Sequence, residues 1–245
     1  MEHLIERAVL AIHERYGEPL RLEELAQTAM LSKYHFLRVF RRVTGVTPGR
    51  YLSAVRLQEA KRLLLTTSFN VAHISAQVGY SGTGTFTRRF SESVGMSPTQ
   101  YRRMGHSGAA VRRETAAPHP PSRARGALAG TIEVVEPPRS PVYVGVFDSP
   151  ILQGRPSACD LFAAPGLFRL PAIPVGTWYL HAVAHGAHPP VTPYCDQPLL
   201  VDTVGPIVVR PNRELRLDLT IRPLDWTRPP VLLALPGLAP VPSAA

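Results

Sequence analysis

The chain has 245 residues, enough to bury one large core or two ordinary ones. Lys and Arg number 27 against 18 Asp and Glu, a formal charge of +9, and the two cysteines, Cys159 and Cys195, form no CxxC pair. This argues against a disulfide scaffold or a zinc finger, and the absence of an apolar run near ~18 residues argues against a membrane helix.

The N-terminal stretch "MEHLIERAVL" carries acids where a secretory signal would carry bases, so a cytoplasmic protein is expected. Leu4, Ala8 and Ala11 follow helical spacing, and "YGEP" ends that segment. "LEELAQTAM" makes a short second helix, and Ser32 is placed to cap a third. In that third helix Phe36, Val39, Phe40 and Val43 share one apolar face, and Gly45 stops it. Pro48 suits the first turn of a long fourth helix of about 18 residues, ~27 Å, with Leu57, Ala60 and Leu64 on one side. "VAHISAQVG", a helix from about Thr83 to Val94 and a short one after Pro98 complete this half.

Composition shifts near residue 105. Three of the 26 prolines precede it, Pro19, Pro48 and Pro98. Residues 1–104 hold 15 Lys and Arg against 8 Asp and Glu, a net of +7, so the positive field sits at the front, where a polyanion is drawn. Residues 105–129 form a Gly/Ala/Pro/Arg tract expected to be a flexible linker, with an arm gripping phosphates through Arg112, Arg113, Arg123 and Arg125 as the alternative. Beyond it come short β-rich runs: "TIEVVE", "PVYVGVFD", "GLFRL", "GTWYLHAVAH", "PIVVR", "ELRLDLTIRP" and "PVLLAL". Leu215, Leu217, Leu219 and Ile221 alternate with polar residues, which predicts a strand with one dry face. The expected architecture is multidomain α plus β. An N-terminal all-α double helix-turn-helix domain spans 1–104, an antiparallel β-sandwich spans 130–236, and 237–245 is a tail.

The front half says nearly the same thing twice. At an offset of 50 residues, Ala26 meets Ala76, Gln27 meets Gln77, Phe36 meets Phe86, Arg38 meets Arg88, Phe40 meets Phe90, Gly45 meets Gly95, Pro48 meets Pro98 and Tyr51 meets Tyr101. One offset covers every pair, so the chain contains an internal duplication. Each copy is a short helix, a tight turn and a second helix with one apolar face, the plan of a unit that lays its second helix in a DNA major groove. With the phenylalanines inward, Lys33, Tyr34, Leu37, Arg38, Arg41 and Arg42 are left for the outside of the first copy, and Thr83, Gly84, Thr85, Thr87 and Arg88 for that of the second. An outward Arg can bond guanine O6 and N7 together, worth ~1–3 kcal/mol of discrimination, while threonines and helix-start amides bond phosphates. Leu37 either meets a thymine methyl or packs sideways on a neighbouring helix. Gly84 offers no side chain to a base, so the second copy reads through Arg88 and the threonines or holds phosphates. A solvated charged face on an ordinary helical bundle is the bland alternative.

"LEELAQTAMLSKYHFLRVFRRVTGVTPGRYL", "RLQEAKRLL" and "VAHISAQVGYSGTGTFTRRFSESVGMSPTQYR" resemble the AraC/XylS family of bacterial transcription regulators over about residues 3–104. The resemblance implies a seven-helix DNA-binding domain with two helix-turn-helix units joined by a long helix. By motif position, Lys33, Tyr34, Leu37 and Arg38 would face one groove segment, and Thr83, Gly84, Thr85 and Arg88 the next. Most members carry this domain at the C-terminus, whereas here it comes first. "GLFRLPAIPVGTWYLHAVAHG" resembles the transthyretin-like or carboxypeptidase-regulatory β-sandwich. His181, His185, His188 and Cys195 suggest a metal, but on a strand the first two stand ~13 Å apart, so scattered histidines are expected instead.

These readings predict a sequence-specific regulator that activates or represses at promoter DNA, with no cofactor and no membrane. RNA polymerase and a small-molecule effector are its candidate further partners. An architectural DNA binder whose sandwich docks another protein is the alternative. An enzyme tethered to DNA would need a catalytic constellation in residues 130–236, and none stands out.

Overall fold

Prolines open two of the helices in the front half, and left-handed glycines close two of them. The computed structural model describes residues 2–107, 124–188 and 198–235, which divide into a helical unit and a β unit. The described helices are α1 (Glu2–Arg15), α2 (Leu22–Thr28), α3 (Lys33–Thr44), α4 (Pro48–Thr66), α5 (Val71–Gln77), α6 (Thr83–Val94) and α7 (Pro98–Ser107). The inward face of α1 is Ile5, Ala8, Val9 and Ile12, one step round from the expected stripe, so Leu4 and Ala11 only flank it.

The duplication is visible in three dimensions. Phe36 and Phe40 meet edge to face at 5.4 Å between ring centroids, and Phe40 meets Tyr51 at 5.7 Å. Their copies repeat this: Phe86 to Phe90 at 5.7 Å and Phe90 to Tyr101 at 5.8 Å. Each aromatic triad ties a second helix to its successor in the chain, and all six rings are buried. Gly45 (φ 75°) and Gly95 (φ 91°) close α3 and α6 in the left-handed region, their N–H groups donating to the carbonyls of Arg41 and Ser91. No atom lies within 4 Å of where a Gly45 Cβ would be, so backbone conformation and not space calls for glycine there.

The turn after α1 meets the end of α5 along a backbone seam. A Cβ on Gly17 would lie 2.7 Å from the Gln77 carbonyl oxygen, and one on Gly79 (φ 81°) 2.9 Å from the Gly17 carbonyl oxygen. Arg56, midway along α4, donates from Nε to the Tyr16 carbonyl (2.7 Å) and from Nη2 to the Glu18 carbonyl (2.8 Å). The turn after α1, the turn after α5 and the connecting helix are thus locked together. At the far end of α4, Arg102 of α7 donates from Nε to the Leu64 carbonyl at 3.0 Å.

His13 lies edge-on to Tyr51, with 6.1 Å between centroids, and burial lowers its pKa to about 4. Between pH 6.5 and about 4 the unfolded imidazole takes up a proton that the folded one refuses. The stabilisation is complete above pH 6.5 and falls with acidification, by at most ~1.4 kcal/mol per pH unit. Urea midpoints of the helical unit at pH 7 and pH 5 should therefore diverge less in His13→Gln than in the wild type.

The β unit comprises β1 (Arg125–Val134), β2 (Val142–Phe147), β3 (Ala158–Phe162), β4 (Gly166–Pro174), β5 (Gly176–His185), β6 (Leu199–Val209), β7 (Glu214–Arg216) and β8 (Leu219–Pro223). They form one continuous path in the order β3-β2-β5-β6-β8-β1-β4, with β7 also on β1. The expected antiparallel sandwich needs correction on two points. The path runs through all the inward faces as a nearly closed, barrel-like sheet around one core that includes Leu128, Val144, Phe168, Leu180, Leu200 and Ile221. It is also mixed: β1 runs parallel to β7 and β8, because the last strands return alongside the first.

The alternating "RELRLDLTIR" run breaks in the middle. At Gly130 a Cβ would sit 1.9 Å from the Leu217 carbonyl oxygen, and the Asp218 carboxylate accepts the Thr131 N–H at 2.9 Å, displacing the regular ladder. Leu219 and Ile221 are buried, while Leu215 is 37% exposed. Strand β1 starts at Arg125, inside the segment expected to be linker, and the Arg125 guanidinium donates to the Ala172 carbonyl at 3.2 Å, so it belongs to the sheet and not to an arm. Arg112, Arg113, Arg123, most of the linker and the 237–245 tail lie outside the described residues. "PVLLAL" is no strand: residues 225–234 group with the helical unit.

Candidate nucleic-acid interface

Helices α3 and α6 each bury one stripe and leave the opposite side open. On α3, Phe36, Val39, Phe40 and Thr44 are buried, which turns Tyr34, Arg38, Arg41 and Arg42 outward. Tyr34 is 83% exposed. Leu37 is half-buried at the edge of this face, compatible with either role expected for it. On α6, burial of Phe86, Phe90, Ser93 and Val94 leaves Thr83, Gly84, Thr85 and Arg88 exposed and Thr87 partly covered. Arg38 and Arg88 occupy equivalent turns of their helices, and both are solvent-exposed. Arg89 is exposed too, a cation that the duplication did not flag because its counterpart, Val39, is buried.

The helix starts differ from the expectation. Ser32 holds the N-cap position of α3 with extended backbone, yet its hydroxyl makes no capping bond. Gly82, at the same place on α6, has no side chain to cap with. By contrast, Thr47 caps α4 through the Arg50 N–H, and Asn70 caps α5 through the His73 N–H at 2.8 Å. Gly84 has no atom within 4 Å of its absent Cβ, so packing does not call for glycine. Gly84→Ala is accordingly expected to raise the stability of the helical unit by ~0.5–1 kcal/mol in denaturant unfolding, through lower chain entropy in the unfolded state.

Lys33 does not point freely to solvent. Its ammonium donates to Glu23 of α2, holding the carboxyl below its usual range and raising the Lys33 pKa in turn. This carboxylate, next to the arginine face, was not legible in the sequence: the pair joins two helices across a turn and leaves no periodic trace.

In the β unit, His181 is buried, with Nε2 on the Ser149 carbonyl and Nδ1 on the Thr203 hydroxyl. His185 is half-buried and its pKa is lowered by burial, while His188 pairs with Glu136. No His, Cys, Asp and Glu group suited to a metal occurs among the described residues, and Cys195 lies outside them. No described helix is long and apolar enough to cross a membrane.

Comparison with known proteins bears on the helical unit. A family model described as "Helix-turn-helix domain" matches residues 25–104. An HTH-type transcriptional regulator of Mycobacterium tuberculosis is 43% identical over 89 residues, 36% of this chain and 34% of that protein. The MmsAB operon regulatory protein of Pseudomonas aeruginosa is 38% identical over 101 residues, 40% of this chain and 33% of the relative. The HTH-type transcriptional activator AarP of Providencia stuartii is 31% identical over 99 residues, 40% of this chain and 73% of AarP. The chain spans about a third of the length of the first two of these relatives. Among solved structures, the DNA-binding domain of the global transcriptional factor AdpA, in complex with a target DNA, is 30% identical, with 40% of this chain and 89% of that one covered and a TM-score of 0.39. With its duplicated helix-turn-helix units and these relatives, the chain belongs to the AraC/XylS family of helix-turn-helix transcriptional regulators.

Proposed function

We propose that the protein binds promoter DNA as a sequence-specific regulator, with α3 and α6 entering adjacent major-groove segments of one duplex. The observation that carries this reading is the pair of exposed arginines, Arg38 and Arg88, at equivalent positions of two copies joined by α4. Arg38 and Arg88 read bases, while Arg41, Arg42, the threonines and the open helix starts hold phosphates. Groove faces on one side of B-DNA recur every ~34–36 Å, whereas the 19 residues of α4 span about 28 Å. Two readers on a strut that short favour a bent duplex. Tandem readers in one chain also allow a monomer to recognise an asymmetric site. The β unit senses an effector or docks a partner such as RNA polymerase.

Sequencing DNA selected from a random pool by the purified chain tests this. A two-part motif about one helical turn apart supports the reading, and diffuse enrichment favours an architectural binder instead. Affinity should fall with salt at a slope near −0.9 per phosphate engaged. Glu23 competes with phosphate for Lys33, so Glu23→Gln is expected to tighten binding a few-fold in low-salt fluorescence titrations. Unchanged affinity would place Lys33 off the DNA.

A further inference from the structure

The chain leaves the sheet at the end of β8 and then completes the helical unit. Residues 225–234 open with a turn in which the Asp225 carboxylate accepts the Thr227 N–H at 2.9 Å, and Pro229 and Pro230 stiffen the backbone beyond it. The Tyr51 hydroxyl donates to the Trp226 carbonyl at 2.9 Å, and the Lys61 ammonium donates to the Val231 carbonyl at 3.0 Å while lying over the Tyr101 ring. Leu232 is 1% exposed. The Ala234 N–H donates to the Val94 carbonyl at 3.2 Å, satisfying one of the acceptors that the C-terminal turn of α6 leaves without an intrahelical donor. The segment therefore holds α4 at two points and the end of the second recognition helix at a third. It reaches both aromatic triads, one through Tyr51 and the other through the lysine over Tyr101.

We propose that this segment is a strap through which the state of the β unit sets DNA affinity. It begins one residue after Leu224, immediately beyond β8, whose Leu219 and Ile221 are fixed in the β core. A ligand or partner that shifts β8 changes the tension at Asp225, and the strap passes this to α4 and α6. The proposal rests on the reading of α3 and α6 as DNA readers. It needs no contact between the two units other than the chain itself.

The test uses the full chain, hydrogen exchange and the DNA selected from the random pool. Leu232→Asp puts a charge in the strap's buried position. Tyr51→Phe keeps the ring and removes the hydroxyl, and serves where the first variant does not fold. Faster exchange in α4 and the last turn of α6, with DNA binding weaker by about tenfold for Leu232→Asp and about threefold for Tyr51→Phe, is expected. On the β side, Ile221→Ala in β8 should weaken DNA binding, while Val144→Ala in β2, equally buried, should not. Wild-type exchange in both strap variants overturns the strap, and equal DNA affinity of the two β variants overturns the coupling. A wild-type chain that selects no DNA sinks the reading of the helices instead, a result distinct from unchanged exchange.

Discussion

Phe90→Ala is expected to destabilise the helical unit by about 3–5 kcal/mol. Phe90 is fully buried between Phe86 and Tyr101, so truncation removes both ring contacts and opens a cavity at the junction of α6 and α7. Small domains commonly have only ~5–15 kcal/mol in hand, so this one change consumes much of the total. The urea midpoint followed by far-ultraviolet circular dichroism should fall, and the slope of the transition should hold. Phe40→Ala, the equivalent change in the first copy, should cost a comparable amount, because its triad has nearly the same geometry. A large difference between the two would mean that one copy leans on the other for its stability.

Arg38→Ala is expected to lower affinity for the selected site by about 1–3 kcal/mol, roughly 5- to 150-fold, and to relax preference at one base position. Affinity for random DNA should fall much less. Arg38 lies on the open face of α3 with no part in the aromatic core, so folding should be intact and the loss confined to binding. Competition titrations against both DNAs at one salt concentration separate the outcomes. An equal fall on both would make Arg38 a phosphate contact. Arg88→Ala tests the second helix in the same way, and a smaller specific loss there fits a reader whose neighbour is Gly84.

The helical unit was largely legible because its signals are local. Apolar residues three and four apart define its faces, Gly45 and Gly95 mark ends, Pro48 and Pro98 mark starts, and one offset pairs the two copies. The outward arginines follow once the buried stripe of each helix is placed. What escaped was long-range. The Lys33–Glu23 pair, the contact of Gly17 with Gln77 and the docking of Val231 on Lys61 join residues whose separation carries no period. In the β unit, short β-rich runs mark most strands but not their closure: β3 leaves little trace, since "ACDLF" is short and poorly alternating, and the one alternating run of leucines is split where Asp218 replaces a ladder bond. The apolar "PVLLAL" looked like sheet because burial alone does not say which core a segment enters.

The seam of Gly17, Gln77 and Gly79 has a consequence for retargeting. Main chain abuts main chain there and Arg56 bridges the same turns, so on the proposed reading of two groove segments the separation of α3 and α6 is a property of the scaffold. On that reading, letters of the operator can be rewritten on the outer surface of either copy, while its internal spacing is inherited. On the same reading, an operator stretched by one base pair is expected to bind more weakly than the selected one in competition titrations.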